Sequence, residues 1–228
     1  MNSARFPAVE LKDVEWGVAG KNILKSCSVK VGFGECVGVI GHNGAGKTTL
    51  FQILMGFKIP SRGDLFLNGV SSLNPKSRIG VAYVPERPYF NVEQTFMDFL
   101  SLHCALAGLT AGKKMYEIKR VSLEVGLQDH LVQKMKSFSK GMLQKASLAQ
   151  AAIGDPSIMI LDEPMSGLDP ESRDVLRTLI QSWRSSGKTI LFSSHAIEDL
   201  EALANRVIAL SAGEIRFDGS LEEWRSKR

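Results

Sequence analysis

Residues 41–48 read Gly41-His42-Asn43-Gly44-Ala45-Gly46-Lys47-Thr48. They fit the pattern G-x-x-x-x-G-K-[ST] at every required position. Each residue type answers a chemical need. Glycines let the backbone curl and bring its N–H groups against phosphate oxygens with no Cβ in the way. Lys47 would reach the terminal phosphates, and the Thr48 hydroxyl would ligate Mg²⁺. Upstream, Glu35-Cys36-Val37-Gly38-Val39-Ile40 reads as a buried strand. Downstream, Thr48 to Met55 reads as a helix, whose positive N-terminal end would point at the anion. Strand, loop and helix form the context the pattern requires, so the segment predicts nucleotide binding.

Working outward, residues from about Val9 to Val31 alternate apolar and polar between turn signals and read as short antiparallel strands. Gly63 to Gly69 reads as another strand, and Ile79 to Val84 as one stopped by Pro85. Then the period changes. Phe96, Phe99, Leu100, His103 and Leu106 or Ala107 fall on one helical face. A second helix is expected from Lys113 to Val125, stopped by Gly126, and Asp129 to Phe138 is short and polar. After it come a helix (Gly141 to Ile153), an apolar strand (Ser157 to Leu161) and a helix from Pro170 to Ser186 with Gly187 behind it. The strand Thr189 to Ser193, the helix Ala196 to Ala204 and a hairpin from Arg206 to Phe217 around Gly213 complete the pattern. Strands alternating with helices imply a mostly parallel, covered sheet.

The 228 residues are 44% hydrophobic and 23% charged, enough for a sizeable core in one compact domain or a domain with a subdomain. No apolar run approaches the ~18 residues of a transmembrane helix, and Met1 to Ala8 lacks a signal-peptide core. A cytoplasmic location is expected. Cys27, Cys36 and Cys104 are widely spaced and form no metal or redox motif. His103 beside Cys104 lacks further ligands at metal spacing and reads as packing. The Phe96, Phe99 and Leu100 stripe is core by default, with a share of it able to face a partner protein. The net charge of +4 is compatible with an anionic partner and equally with a solvated surface, to which the Arg225-Ser226-Lys227-Arg228 tail adds.

A second motif closes an apolar strand: Ile158-Met159-Ile160-Leu161-Asp162-Glu163-Pro164. On a parallel sheet, ligands sit at the carboxyl ends of strands. Asp162 and the phosphate loop would then converge, with Asp162 holding Mg²⁺ and Glu163 orienting or deprotonating a water. The bland alternative is an acidic turn at a strand end.

Thr48 and Asp162 alone would fit many P-loop NTPases; the order of segments around them is more specific. Ser139-Lys140-Gly141-Met142 precedes the Asp-Glu strand, Ser166-Gly167-Leu168-Asp169 follows it, and His195 ends the next strand in Phe192-Ser193-Ser194-His195. In these motifs the chain resembles the nucleotide-binding subunit of an ABC transporter, over nearly its whole length from about Val9 to the Gly213 hairpin. The resemblance implies an α/β fold of the ABC-type P-loop NTPase class. It has a mostly parallel sheet core, an N-terminal antiparallel β subdomain and an inserted helical subdomain. The single domain would comprise residues 1–86 and 139–228 as catalytic core with β subdomain, and 87–138 as the helical insertion. No regulatory domain is expected after Trp224.

The implied roles follow residue by residue. Trp16 falls where the family places an aromatic that stacks on adenine, the alternative being an ordinary surface or core Trp. Gly41, Asn43, Gly44, Ala45, Gly46, Lys47, Thr48 and Thr49 match the phosphate-binding segment. Glu86 falls where many members carry a Gln that touches Mg²⁺. Asp162 and Glu163 match the metal-organising and catalytic acids, Asp169 a loop that communicates across a dimer, and His195 a switch histidine on the γ-phosphate. The signature segment departs most from the family's usual Leu-Ser-Gly-Gly-Gln. It reads Phe138-Ser139-Lys140-Gly141-Met142, keeping the Ser139 hydroxyl and the Gly141 N–H that would contact ATP held by the other subunit. Lys140 adds a cation near ATP or points to water.

These expectations combine into an ATP-hydrolysing subunit with ATP and Mg²⁺ as ligands. Two copies, or this chain and a similar subunit, would sandwich two ATPs head to tail. A separate transmembrane permease would hold the pair at the inner face of the cell membrane. Alone, the subunit should bind ATP and hydrolyse it poorly. Pro85-Glu86 and the Ser-Lys-Gly-Met signature resemble bacterial exporters; an importer subunit is the alternative within the family. A rival of another class is a soluble ABC-type ATPase acting on nucleic acid or ribosomes, but no long coiled-coil insertion or dense Lys/Arg arm supports it and no nucleic-acid partner is expected. His195 and the Asp162-Glu163 pair argue against a P-loop kinase or a binding-only module.

Overall fold

The strand Ile158–Leu161 shows how the sequence builds the core. All four of its side chains are buried, yet they divide between two cores. Met159 and Leu161 join one hydrophobic cluster; Ile158 and Ile160 join the other. Alternate side chains of a strand point to opposite faces, so a continuous apolar run marks a sheet covered on both sides.

A computed structural model describes residues 6–227. Its larger sheet holds six strands: β10 (Glu214–Ser220), β9 (Arg206–Ser211), β3 (Cys36–Ile40), β8 (Thr189–Ser194), β7 (Ile158–Leu161) and β6 (Val81–Val84), in that spatial order. The pairings from β9 to β6 are parallel, and only β10 runs antiparallel on the edge. The smaller sheet is antiparallel, in the order β2 (Lys21–Val31), β1 (Val9–Val18), β4 (Arg62–Leu67), β5 (Val70–Ser71). Helix α1 (Lys47–Leu54) follows β3 and packs Leu50, Phe51, Ile53 and Leu54 into the core shared by the two sheets. On the other face, α5 (Pro170–Ser185) buries Leu176, Ile180 and Trp183, and α6 (Ile197–Leu203) buries Leu200 and Leu203.

Between β6 and β7 lie α2 (Phe96–Leu106), α3 (Ala111–Glu124), two short 3-10 turns and α4 (Lys140–Ala152). Thr95 and Asp98 start α2 with reciprocal caps. Phe96, Phe99, Leu100 and Cys104 are buried, and burial lowers the His103 pKa. The apolar face is shorter than the periodicity predicts, because Leu106 and Ala107 are exposed. The helix ends there in a turn at Gly108, whose N–H donates to the Ala105 carbonyl, and so it projects past the contacts of its first two turns. Among the described strands and α-helices, two have no counterpart in the sequence reading: the two-residue β5 and α7 (Leu221–Ser226), begun by a capping box of Ser220 and Glu223.

The β9–β10 turn is wedged into the site. Ala212 and Gly213 both have positive φ, the requirement of a tight two-residue hairpin. The Gly213 N–H donates to the Ala45 carbonyl at 3.1 Å, and its own carbonyl accepts from the Lys25 N–H at 2.8 Å. A Cβ at this position would collide with the Ile23 carbonyl.

Candidate functional site

The loop between β3 and α1 is shaped by close approach. A side chain at Gly41 would strike the Leu210 carbonyl and come within 2.9 Å of the Ala45 methyl. Gly46, at φ 110°, directly precedes α1, and a Cβ there would come within 2.8 Å of Leu24 Cδ2. The Ala45 N–H donates to the His42 carbonyl at 3.0 Å, closing the turn. Lys47 opens α1 and is 7% exposed. Its Nζ donates to the Gly41 carbonyl at 2.7 Å and stands 3.6 Å from a Glu163 carboxylate oxygen.

A cavity of about 810 Å³ opens on this loop. Residues 43–49 of the loop line it, together with Trp16, Glu86, Glu163 and His195. Glu163 is the pivot. Its backbone is left-handed, with φ 48°, and its N–H donates to Ser193 Oγ at 2.7 Å. One carboxylate oxygen faces Lys47; the other meets His195 Nδ1 at 3.0 Å. Glu163 is therefore tied to a cation and an imidazole while its side chain stays 11% exposed to the cavity.

Asp162 lies one residue deeper, fully buried at the end of β7. Ser193 Oγ donates to its Oδ1 at 2.7 Å, while Oδ2 has no hydrogen-bond partner among the described residues. Burial pushes its pKa up. The Ser193 and Thr48 hydroxyls oppose that shift, and the Glu86 and Glu163 carboxylates add to it. A buried carboxylate oxygen without a donor, beside the Thr48 hydroxyl and a second carboxylate, is a set of hard oxygen ligands that suits a divalent cation. Among the described residues, no group of three or more His, Cys, Asp or Glu side chains could hold a metal ion by itself.

The signature residues are elsewhere. Ser139, Gly141 and Met142 do not line this cavity. Ser139 begins α4 as its cap, accepting from the Met142 N–H at 3.2 Å. A Cβ on Gly141 would come within 2.7 Å of Ser172 Oγ. Lys140 is exposed, in keeping with a solvated side chain, and its ammonium lies beside Gly167 of the same chain. Asp169 caps α5, accepting from the Ser172 N–H at 2.9 Å. Two contributors were not singled out from sequence. Ser193 holds both neighbouring acids, and Lys58 reaches into the cavity over Trp16, its Nζ 3.8 Å from the ring centroid. A Ser near the end of the strand beside the Asp-Glu strand was the only signal for the first. Nothing local marked the second.

Similarity to known proteins decides the family. The profile described as "ABC transporter" matches residues 24–166. The chain belongs to the ABC transporter family. An uncharacterized ABC transporter ATP-binding protein of Nostoc is 42% identical over 88% of the chain. The chain spans only 60% of that relative's length. A Nod factor export ATP-binding protein I of Cupriavidus metallidurans is 30% identical over 88% of the chain and 67% of its own length. A solved structure described as the ATP binding subunit of an ABC transporter superposes with a TM-score of 0.87 at 31% identity, covering 96% of this chain and 92% of the other. The fold is thus that of an ABC-type ATP-binding cassette.

Proposed function

We propose that this chain is the ATP-hydrolysing subunit of an export-type ABC transporter and works as a pair with a separate membrane permease. The observation that carries the reading is Glu163, held between Lys47 and His195 at the edge of a cavity lined by the phosphate loop. In this reading the loop amides and Lys47 bind the phosphates, and Trp16 stacks on the base. Thr48, Asp162 and Glu86 would hold Mg²⁺, which would neutralise charge on the phosphates. Glu163 takes the proton of the attacking water as that water's oxygen bonds to the γ-phosphorus; the bond to the β-phosphate oxygen breaks, leaving ADP and phosphate. His195 fixes the Glu163 carboxylate and stands ready for the γ-phosphate.

Ser139, Gly141 and Met142 do not reach the cavity of their own chain, which supports their supply from a second copy. A permease contact is supported by a broad groove whose rim carries exposed Phe57, Ile79, Tyr89 and Leu106. No described helix is long and apolar enough to cross a membrane, in keeping with a permease on another chain. Export rather than import is supported by Pro85-Glu86, by the Ser-Lys-Gly-Met signature and by the Nod factor export relative. The deciding experiment is Glu163→Gln. Phosphate release is expected to fall by about 10²-fold or more, with ATP still bound and a dimer trapped at saturating ATP. Turnover near the wild-type value would remove Glu163 from the mechanism.

A further inference from the structure

Trp16 does not present a bare ring to the cavity. The Lys58 ammonium sits 3.8 Å from its centroid, and both residues line the same space as the phosphate loop. That distance is well inside the range of a cation–π contact, and Trp gives the strongest such contact among the aromatic side chains.

The contact is held by the backbone on both sides. After α1, the Phe57 and Lys58 N–H groups both donate to the Gln52 carbonyl, at 2.8 and 3.3 Å. Phe57 is fixed in turn by an edge contact with Tyr83, their ring centroids 5.7 Å apart. At the other end of the segment, the Ser61 N–H and hydroxyl both donate to the Glu15 carbonyl, at 2.8 and 3.0 Å. Glu15 adjoins Trp16. The loop is therefore anchored to the helix that leaves the phosphate loop and to the strand that carries the ring. The Glu15 carboxylate does not draw the ammonium away, because it pairs with Arg62 at 3.5 Å.

We propose that Lys58 is a specificity-determining residue that competes with the nucleotide base for Trp16. This rests on the reading of the cavity as an ATP site with Trp16 as its base platform. Because Lys58 and Trp16 line the same cavity, a base stacking on the cavity side of the ring takes the place of the amine. The base then contributes only the excess of stacking over the cation–π contact it replaces. The phosphates, bound on the loop, are untouched by this exchange. Lys58 also attracts any polyanion by charge alone, and that attraction acts on ligands with and without a base. The two effects separate in a ratio.

The test is calorimetric titration of ADP and of pyrophosphate onto the full chain, for the wild type, Lys58→Ala and Lys58→Arg. The quantity read is the affinity for ADP divided by that for pyrophosphate. Lys58→Ala is expected to raise this ratio roughly two- to fivefold, the size of a partly exposed cation–π contact. Lys58→Arg keeps a cation on the ring and is expected to leave the ratio at or below the wild-type value. In a Trp16→Ala background, Lys58→Ala should no longer change the ratio. An unchanged or lowered ratio in Lys58→Ala overturns the competition while leaving the ATP site intact. A raised ratio that persists without Trp16 overturns it as well. If the wild type binds neither ligand, the ATP reading falls, and this proposal with it.

Discussion

The phosphate loop and the capped first turn of α4, Ser139–Met142, both combine glycine with a hydroxyl residue, and the fold uses them in opposite ways. In the loop, Gly41 and Gly46 are demanded by collisions with neighbouring backbone and side chains, and the amides so placed face an open cavity. In the turn, the Ser139 hydroxyl is already engaged in capping α4, and Gly141 is demanded by Ser172. The first region lines the cavity. The second has an internal reason for its residues and does not line that cavity. A matched motif therefore does not by itself show which chain a residue serves.

The contrast can be broken most directly by nucleotide binding to dilute, unpaired chain. Lys47→Ala removes a charged partner of the phosphates and should weaken ADP binding by about 10- to 100-fold. Ser139→Ala should leave that affinity unchanged, while lowering ATP turnover at concentrations where chains pair. Equal losses of binding in the two variants would place Ser139 in its own chain's site. The next effect is on stability. Ser193→Ala strips the hydrogen bond from Asp162 and from the Glu163 N–H together and should cost about 1 to 3 kcal/mol, read by urea denaturation. Ser139→Ala loses only a helix cap, about 1 kcal/mol. Ser139→Asp should restore that stability without restoring turnover, which separates the capping role from the ligand role.

The smallest expected effect contrasts two acids. Asp162 is pushed up by burial, whereas Glu117 is held below its ordinary value by Arg120, which also bonds the Ala152 carbonyl and so ties α3 to the end of α4. A depressed carboxylate pKa gives stability that is present above the unfolded value, near 4.5, and lost as pH falls through the folded value. Glu117→Gln should flatten the acid limb of a urea-midpoint titration. An acid limb as steep as that of the wild type would show that the Arg120 contact adds no stability.

Much of the fold was legible because its signals were local. The β3–loop–α1 unit, the buried β7 and the Gly213 hairpin each carry their own periodicity or turn chemistry. Helix α7 was not, because a helix of six residues is too short to show a period, although its Ser220–Glu223 capping box was there to be found. The strand β5 is two residues long and exists only through its pairing with β4. At the site, Glu163 and Asp162 could be placed by their position at a strand end. Ser193 and Lys58 could not, since each acts across a distance in sequence, 31 residues from Asp162 in one case and a loop fastened to another strand in the other. The Lys140 contact with Gly167 is likewise tertiary, which is why charge and spacing left two alternatives open.

The wedge at Gly213 gives the phosphate loop a clock. Its amide proton is held by the Ala45 carbonyl, so deuterium from solvent can replace it only when the loop lets go. One backbone proton, more than 160 residues further along the chain, would thus record how often the loop opens. Its exchange should slow when phosphate ligands bind, and lengthening the hairpin by a single residue should make that record fast and indifferent to them.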